Sequence, residues 1–95
     1  MSEKRHFLEN QKTQLDQWAK QLEQLRLRAK KMQVEASVKV ENALDELRDK
    51  IESAQGRFKS MERSSGESLE EVRSRVTDIW EELKKALEKA KSRIG

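Results

Sequence analysis

The sequence predicts an all-α protein: an antiparallel coiled-coil helical hairpin, with one long helix over about residues 3–62 and one shorter helix over about 67–94, assembling as a helical bundle. Three observations predict it. Charged residues make up 41% of the 95 positions, there is no proline, and Gly56, Gly66 and Gly95 are the only glycines, a profile of long helices and coiled coils. Apolar residues recur in alternating steps of three and four along most of the chain, an average of about 3.5 residues, which is the spacing of a coiled-coil seam. Small polar residues and a glycine stand together at one place only, "RSSGES" at 63–68. The regular spacing argues against the disorder that so much charge otherwise signals. At 11.2 kDa, with 34% apolar and 4% aromatic residues, residues 1–95 make a single domain with a thin core.

The first seam reads Leu15, Trp18, Leu22, Leu25, Ala29, Met32, Ala36, and the second Val40, Leu44, Leu47, Ile51, Ala54, Phe58, Met61. Between them, "MQVEASVKV" alternates apolar and polar residues as a strand does, but a lone strand between helices has no ladder partner. Nothing in it is a glycine or a proline, so no turn is marked and the helix is expected to continue. On that helix Val34 and Val38 leave the main stripe and widen the apolar surface. Gly56 sits inside an unbroken second seam and reads as a tolerated helix glycine, costing about 1 kcal/mol relative to alanine.

A hairpin turn is expected at "RSSGES". The second seam and a third, Leu69, Val72, Val76, Ile79, Leu83, Ala86, Ala90, Ile94, mirror each other about residue 65. Ser64 or Ser65 is the expected N-cap of the last helix, with Glu67 as the reciprocal partner of Ser64 in a capping box. Gly66 accommodates an irregular backbone. The last helix places Glu67, Glu70, Glu71, Asp78, Glu81 and Glu82 first and Lys84, Lys85, Lys89, Lys91 and Arg93 last, which suits the helix dipole.

Two closures of the chain compete. A helix over 3–62 is roughly 90 Å long at about 1.5 Å per residue, and the last helix covers only its second half. Two copies crossing antiparallel at their middles would each cover the other's first seam, giving two three-helix bundles joined at Val34 and Val38. Bending near 33–38 instead gives one closed three-helix bundle. The antiparallel homodimer is the expected form because no turn residue marks the bend. Its oligomer or partner interface is Leu15, Trp18, Leu22, Leu25, Met32, Val34 and Val38.

The residues offer little to catalysis. There is no cysteine and one histidine, so thiolate chemistry and a Ser-His-acid arrangement have no material. Glu3 and His6 have the Glu-x-x-His spacing of di-iron bundles, but no second histidine exists and further ligands are not identifiable, so chance spacing is the reading and no metal or cofactor is expected. Scattered carboxylates lack a pocket to separate their pKa values. Residues 1–35 carry 8 basic and 5 acidic side chains and residues 36–95 carry 13 of each, so the net +3 comes from the first third, densest at Arg26, Arg28, Lys30 and Lys31. This cluster reads as a solvated helix face, with nucleic acid disfavoured as a partner for want of nearby aromatic residues. Trp18 and Trp80 read as core, with an interfacial membrane anchor as the alternative. No membrane span or signal segment is present, which makes the cytoplasm the default location. The expected function is therefore that of a non-enzymatic, self-assembling coiled-coil scaffold or protein-interaction adaptor. The alternative is a peripheral amphipathic-helix binder of lipid or granule surfaces.

The C-terminal stretch "GESLEEVRSRVTDIWEELKKALEKAKSRIG" and the N-terminal "LENQKTQLDQWAKQLEQL" resemble the closing and opening segments of a group of small bacterial coiled-coil proteins, some described as stress-response proteins, whose biochemical activity is unassigned. The resemblance spans most of the chain and implies a soluble helical protein. It implies no functional residue.

Overall fold

The computed structural model describes residues 2–64 and 66–95. Three helices follow one another, α1 (Ser2–Lys31), α2 (Val38–Arg63) and α3 (Leu69–Ile94). They pack up-down-up into a bundle of 49 × 17 × 16 Å, in which every pair of helices touches. The all-α class and the helical bundle are as the periodicity predicts, but the long helix over 3–62 is two helices. The chain turns back at residues 32–37, so the two-helix hairpin gives way to three helices, and α1 lies against α2 and α3 of its own chain.

The turn forms without glycine because a glutamine takes glycine's role. Gln33 has φ 60°, in the left-handed region that ends many helices. Its N–H donates to the Lys30 carbonyl at 3.1 Å, and the Val34 N–H donates to the Ala29 carbonyl at 3.0 Å. This pair of bonds is the Schellman arrangement, and its usual apolar contact is supplied by Val34, half-buried against the core next to fully buried Ala29. The alternation of "MQVEASVKV" is thus turn sequence: Val34 seals the end of α1, Ala36 and Val38 face solvent, and Val40 re-enters the core. Ser37 stands at the N-cap of α2, and its carbonyl accepts from the Glu41 N–H at 2.9 Å.

The second turn lies where the small residues predict it, with different capping. The N-cap of α3 is Ser68, whose hydroxyl accepts from the Glu71 N–H at 3.2 Å. Ser64 is the C-cap of α2, and Ser65, the other expected cap, lies outside the described residues. The expected Ser64–Glu67 spacing is repeated four residues later by Ser68 and Glu71, and the helix begins at the second copy. Glu67 instead reaches along the helix to Arg75, at 2.9 Å. Pairs that meet across this hairpin, Lys50–Glu82, Glu46–Lys89 and Phe58–Trp80, all lie further along α3 than reflection about residue 65 places them. Gly56 remains inside α2, with open space where a Cβ would stand.

The core is the three seams brought together, except that Met32 and Ala36, the last two members of the first seam, are exposed in the 32–37 turn, and Trp18 and Leu69 are only half-buried. Leu8, Leu15, Leu22, Leu25 and Ala29 come from α1. Val40, Leu44, Leu47, Ile51, Ala54, Phe58 and Met61 come from α2, and Val72, Val76, Ile79, Leu83, Ala86, Ala90 and Ile94 from α3. No charged or polar residue is buried among the described residues. Leu8 and Gln11 extend the heptad of α1 one repeat before Leu15, and the polar member is accommodated by a partner, since the Trp80 indole Nε1–H donates to Gln11 Oε1. Trp18 and Phe58 pack on Trp80 with ring centroids at 5.6 and 6.1 Å, within the range where tilted aromatic pairs attract.

Candidate interaction surface

The seven residues expected to form an interface divide between the core and one end of the bundle. Leu15, Leu22 and Leu25 are buried against the chain's own α2 and α3, and Trp18 is half-buried beside Trp80. Val34 is half-buried as the seal of the α1–α2 turn. Met32 and Val38 are exposed, at 46% and 69%, and Leu27 joins them at 59%. Sequence reasoning missed Leu27 because it lies off the seam between Leu25 and Ala29. Its position shows only once the seam is known to face inward.

These three are the exposed large apolar side chains of the described residues, and all lie at the same end. That end is built from the last turn of α1, the 32–37 turn, the first turn of α2 and the last turn of α3. Leu27 precedes the end of α1 by four residues, or about 6 Å along the axis. Met32 extends over the end of α3, its Cε within 3.5 Å of where a Cβ on Gly95 would stand.

The same end carries the excess charge. The dense cluster Arg26, Arg28, Lys30 and Lys31 on α1 is joined by Lys39 on α2 and by Lys91 and Arg93 on α3, against Glu35 and Glu41 alone within 26–41 and 91–95. None of these seven cations takes part in an ion pair among the described residues, where the pairs involve Lys12, Arg48, Lys50, Arg57, Arg75 and Lys89. Two helix C-termini and one N-terminus meet here, and their dipoles sum to about half a negative charge. That offsets little of an excess of five. The opposite end, residues 2–9 and 62–73, holds six carboxylates and four cations, so the bundle is electrically polar along its length.

The remaining candidates are weaker sites. Glu3 and His6 are exposed on the first turns of α1, and no group of three or more His, Cys, Asp and Glu that could hold a metal is present among the described residues. An open groove between α1 and α2, about 310 Å³ in volume, is lined by Lys12, Leu15, Asp16, Gln55 and Lys59. It brings together no nucleophile, base and oxyanion donor. Trp18 and Trp80 form part of the aromatic cluster described above and do not stand out as interfacial anchors. No described helix is long and apolar enough to cross a membrane. No protein-family model, curated protein or solved structure matches this chain.

Proposed function

We propose that this chain is a non-enzymatic coiled-coil scaffold or interaction adaptor of the cytoplasm, one that engages its partner through the basic end of the bundle. The observation that supports this reading is the coincidence of Leu27, Met32 and Val38 with the unpaired cations at one end. Exposed apolar side chains grouped together and rimmed by charge of one sign have the composition of an interaction surface. Amide-resonance mapping with poly-L-glutamate as an anionic probe tests it. Signals of residues 26–41 and 91–95 are expected to shift at low salt and to return at about 150 mM salt, where the Debye length is about 8 Å. Shifts spread evenly over the bundle, or none at low salt, would remove the reading.

A second reading, self-association as an antiparallel homodimer, is supported by the left-handed Gln33. A non-glycine residue there costs about 1–2 kcal/mol, and a short strained hinge favours exchange of an element between copies. Straightening residues 32–37 would join α1 and α2 into one helix and let the α1 of each copy fill the seam of the other. Gln33→Gly relieves the closed turn and penalises the straight helix, while Gln33→Ile penalises the closed turn and costs the straight helix less than glycine does. The two differ by about 2 kcal/mol per hinge, and a dimer has two hinges. The dimerisation constant of Gln33→Ile is therefore expected to exceed that of Gln33→Gly on the order of a thousandfold. Light scattering that gives both variants the same monomer mass up to millimolar concentration would exclude exchange.

A further inference from the structure

Resting on the reading of the basic end as the interaction surface, we infer that its partner is an anionic lipid surface, met end-on by the closed bundle. Shape argues first. The end is the narrow tip of a bundle whose backbone spans 17 × 16 Å across, formed by helix termini and a turn. A partner helix needs a groove or a long seam to lie in, and the groove between α1 and α2 lies away from this tip, around Lys12 and Lys59. A fluid headgroup layer needs neither, since it moulds itself around protruding side chains.

Chemistry argues next. Val38 and Met32 stand at the tip and Leu27 about 6 Å behind it, which matches the thickness of the headgroup layer outside the hydrocarbon core, also about 6 Å per leaflet. Docked end-on, all three would enter the interface together. Arg28, Lys30, Lys31 and Lys39 are exposed on the same segments, where long side chains keep their charge at the phosphates while their stems lie on apolar surface. Nucleic acid would use the cations but not the apolar tip, and no aromatic side chain is present there for base stacking. The inference differs from an amphipathic helix lying flat, because the apolar seams of all three helices are occupied by one another.

Vesicle flotation of the full chain tests it, with neutral phosphatidylcholine vesicles set against vesicles containing about one-third phosphatidylglycerol. Retention is expected on the anionic vesicles at low salt, falling steeply as salt rises, with none on the neutral ones. Each basic residue near such a surface contributes about fivefold to binding, so Lys30→Ala with Lys31→Ala is expected to weaken it about 25-fold. Leu27→Gln with Val38→Gln keeps the charge and is expected to weaken it as well. Both sites are exposed, and circular dichroism verifies that helicity is kept. Trp18 lies about 13 Å before Leu27 along α1, so brominated lipids are expected to leave indole fluorescence unquenched. No retention at low salt, retention insensitive to the Gln pair, or strong quenching of the indoles would each overturn the inference. If the poly-L-glutamate shifts persist while flotation fails, the basic end remains an interaction surface and its partner is an acidic macromolecule instead.

Discussion

Phe58→Ala is expected to destabilise the bundle by about 3–5 kcal/mol. Phe58 is fully excluded from solvent, and none of the other completely buried side chains is larger. Its ring meets Trp80, which in turn meets Trp18 and hydrogen-bonds Gln11. Removing it leaves a void that the backbones of three packed helices cannot close without separating the aromatic pair. A chain of this length has a total stability of roughly 5–14 kcal/mol, so a large part of it is lost. With about 4–8 °C of melting temperature per kcal/mol for a domain of this size, thermal denaturation followed by circular dichroism should show a fall of about 12 °C or more. Trp80 emission should move to longer wavelength as water reaches the indole. Phe58→Leu keeps most of the volume and is expected to cost about half as much or less. Equal effects of the two substitutions would mean that the aromatic cluster is not packed as described.

The second large effect is expected from Leu22→Lys combined with Leu25→Lys. Each leucine is 6% exposed, and truncation alone at such sites costs about 2–5 kcal/mol. A lysine adds the cost of placing an ammonium group against the apolar faces of α2 and α3. The combined loss is expected to exceed about 5 kcal/mol, detaching α1 and leaving the α2–α3 hairpin with an open seam. Exchange of α1 between copies offers no escape, since the seam it would fill has the same composition. Helicity should fall sharply at all protein concentrations. Retained helicity with an unchanged melting temperature would show that the first seam is not core.

The sequence carries the helical class and most of the three seams because these rest on repetition: a stripe such as Val40, Leu44, Leu47, Ile51 is read from spacing alone, and all four residues are buried, whereas Met32 and Ala36, the last two members of the first seam, are exposed in the turn. The turn at "RSSGES" is readable for a similar reason, as its small residues are the chain's one local break in helix-forming composition. The turn at 32–37 is not. Its left-handed residue is a glutamine, a type that favours ordinary helix, and what holds it there is the packing of Val34 against the core that the three helices form together. No local signal records a contact that closure itself creates. The basic end follows the same logic. Arg26 to Lys31 stand out in the sequence, but Lys91 and Arg93 join them only through the third helix, and Leu27 becomes an exposed residue only when the turn sets which face is inside. The cap at Ser68 is a different case. Two Ser-x-x-Glu spacings four residues apart are equally good chemically, and the packing of α3 selects the second.

The bond between Gln11 and the Trp80 indole has a consequence for how the folded arrangement is chosen. Leucine, valine and alanine seams are interchangeable: slide one helix along another by seven residues and apolar side chains again meet apolar side chains at little loss. A polar group at a seam position removes that freedom, as a single buried asparagine does in coiled coils. If α1 slipped by one heptad against α3, the half-buried Gln11 amide and Trp80 indole N–H would lose each other, forfeiting a hydrogen bond worth about 0.5–1.5 kcal/mol. The pair therefore acts as an index mark between the first and last helices. It selects one alignment among several that hydrophobicity alone would leave nearly degenerate.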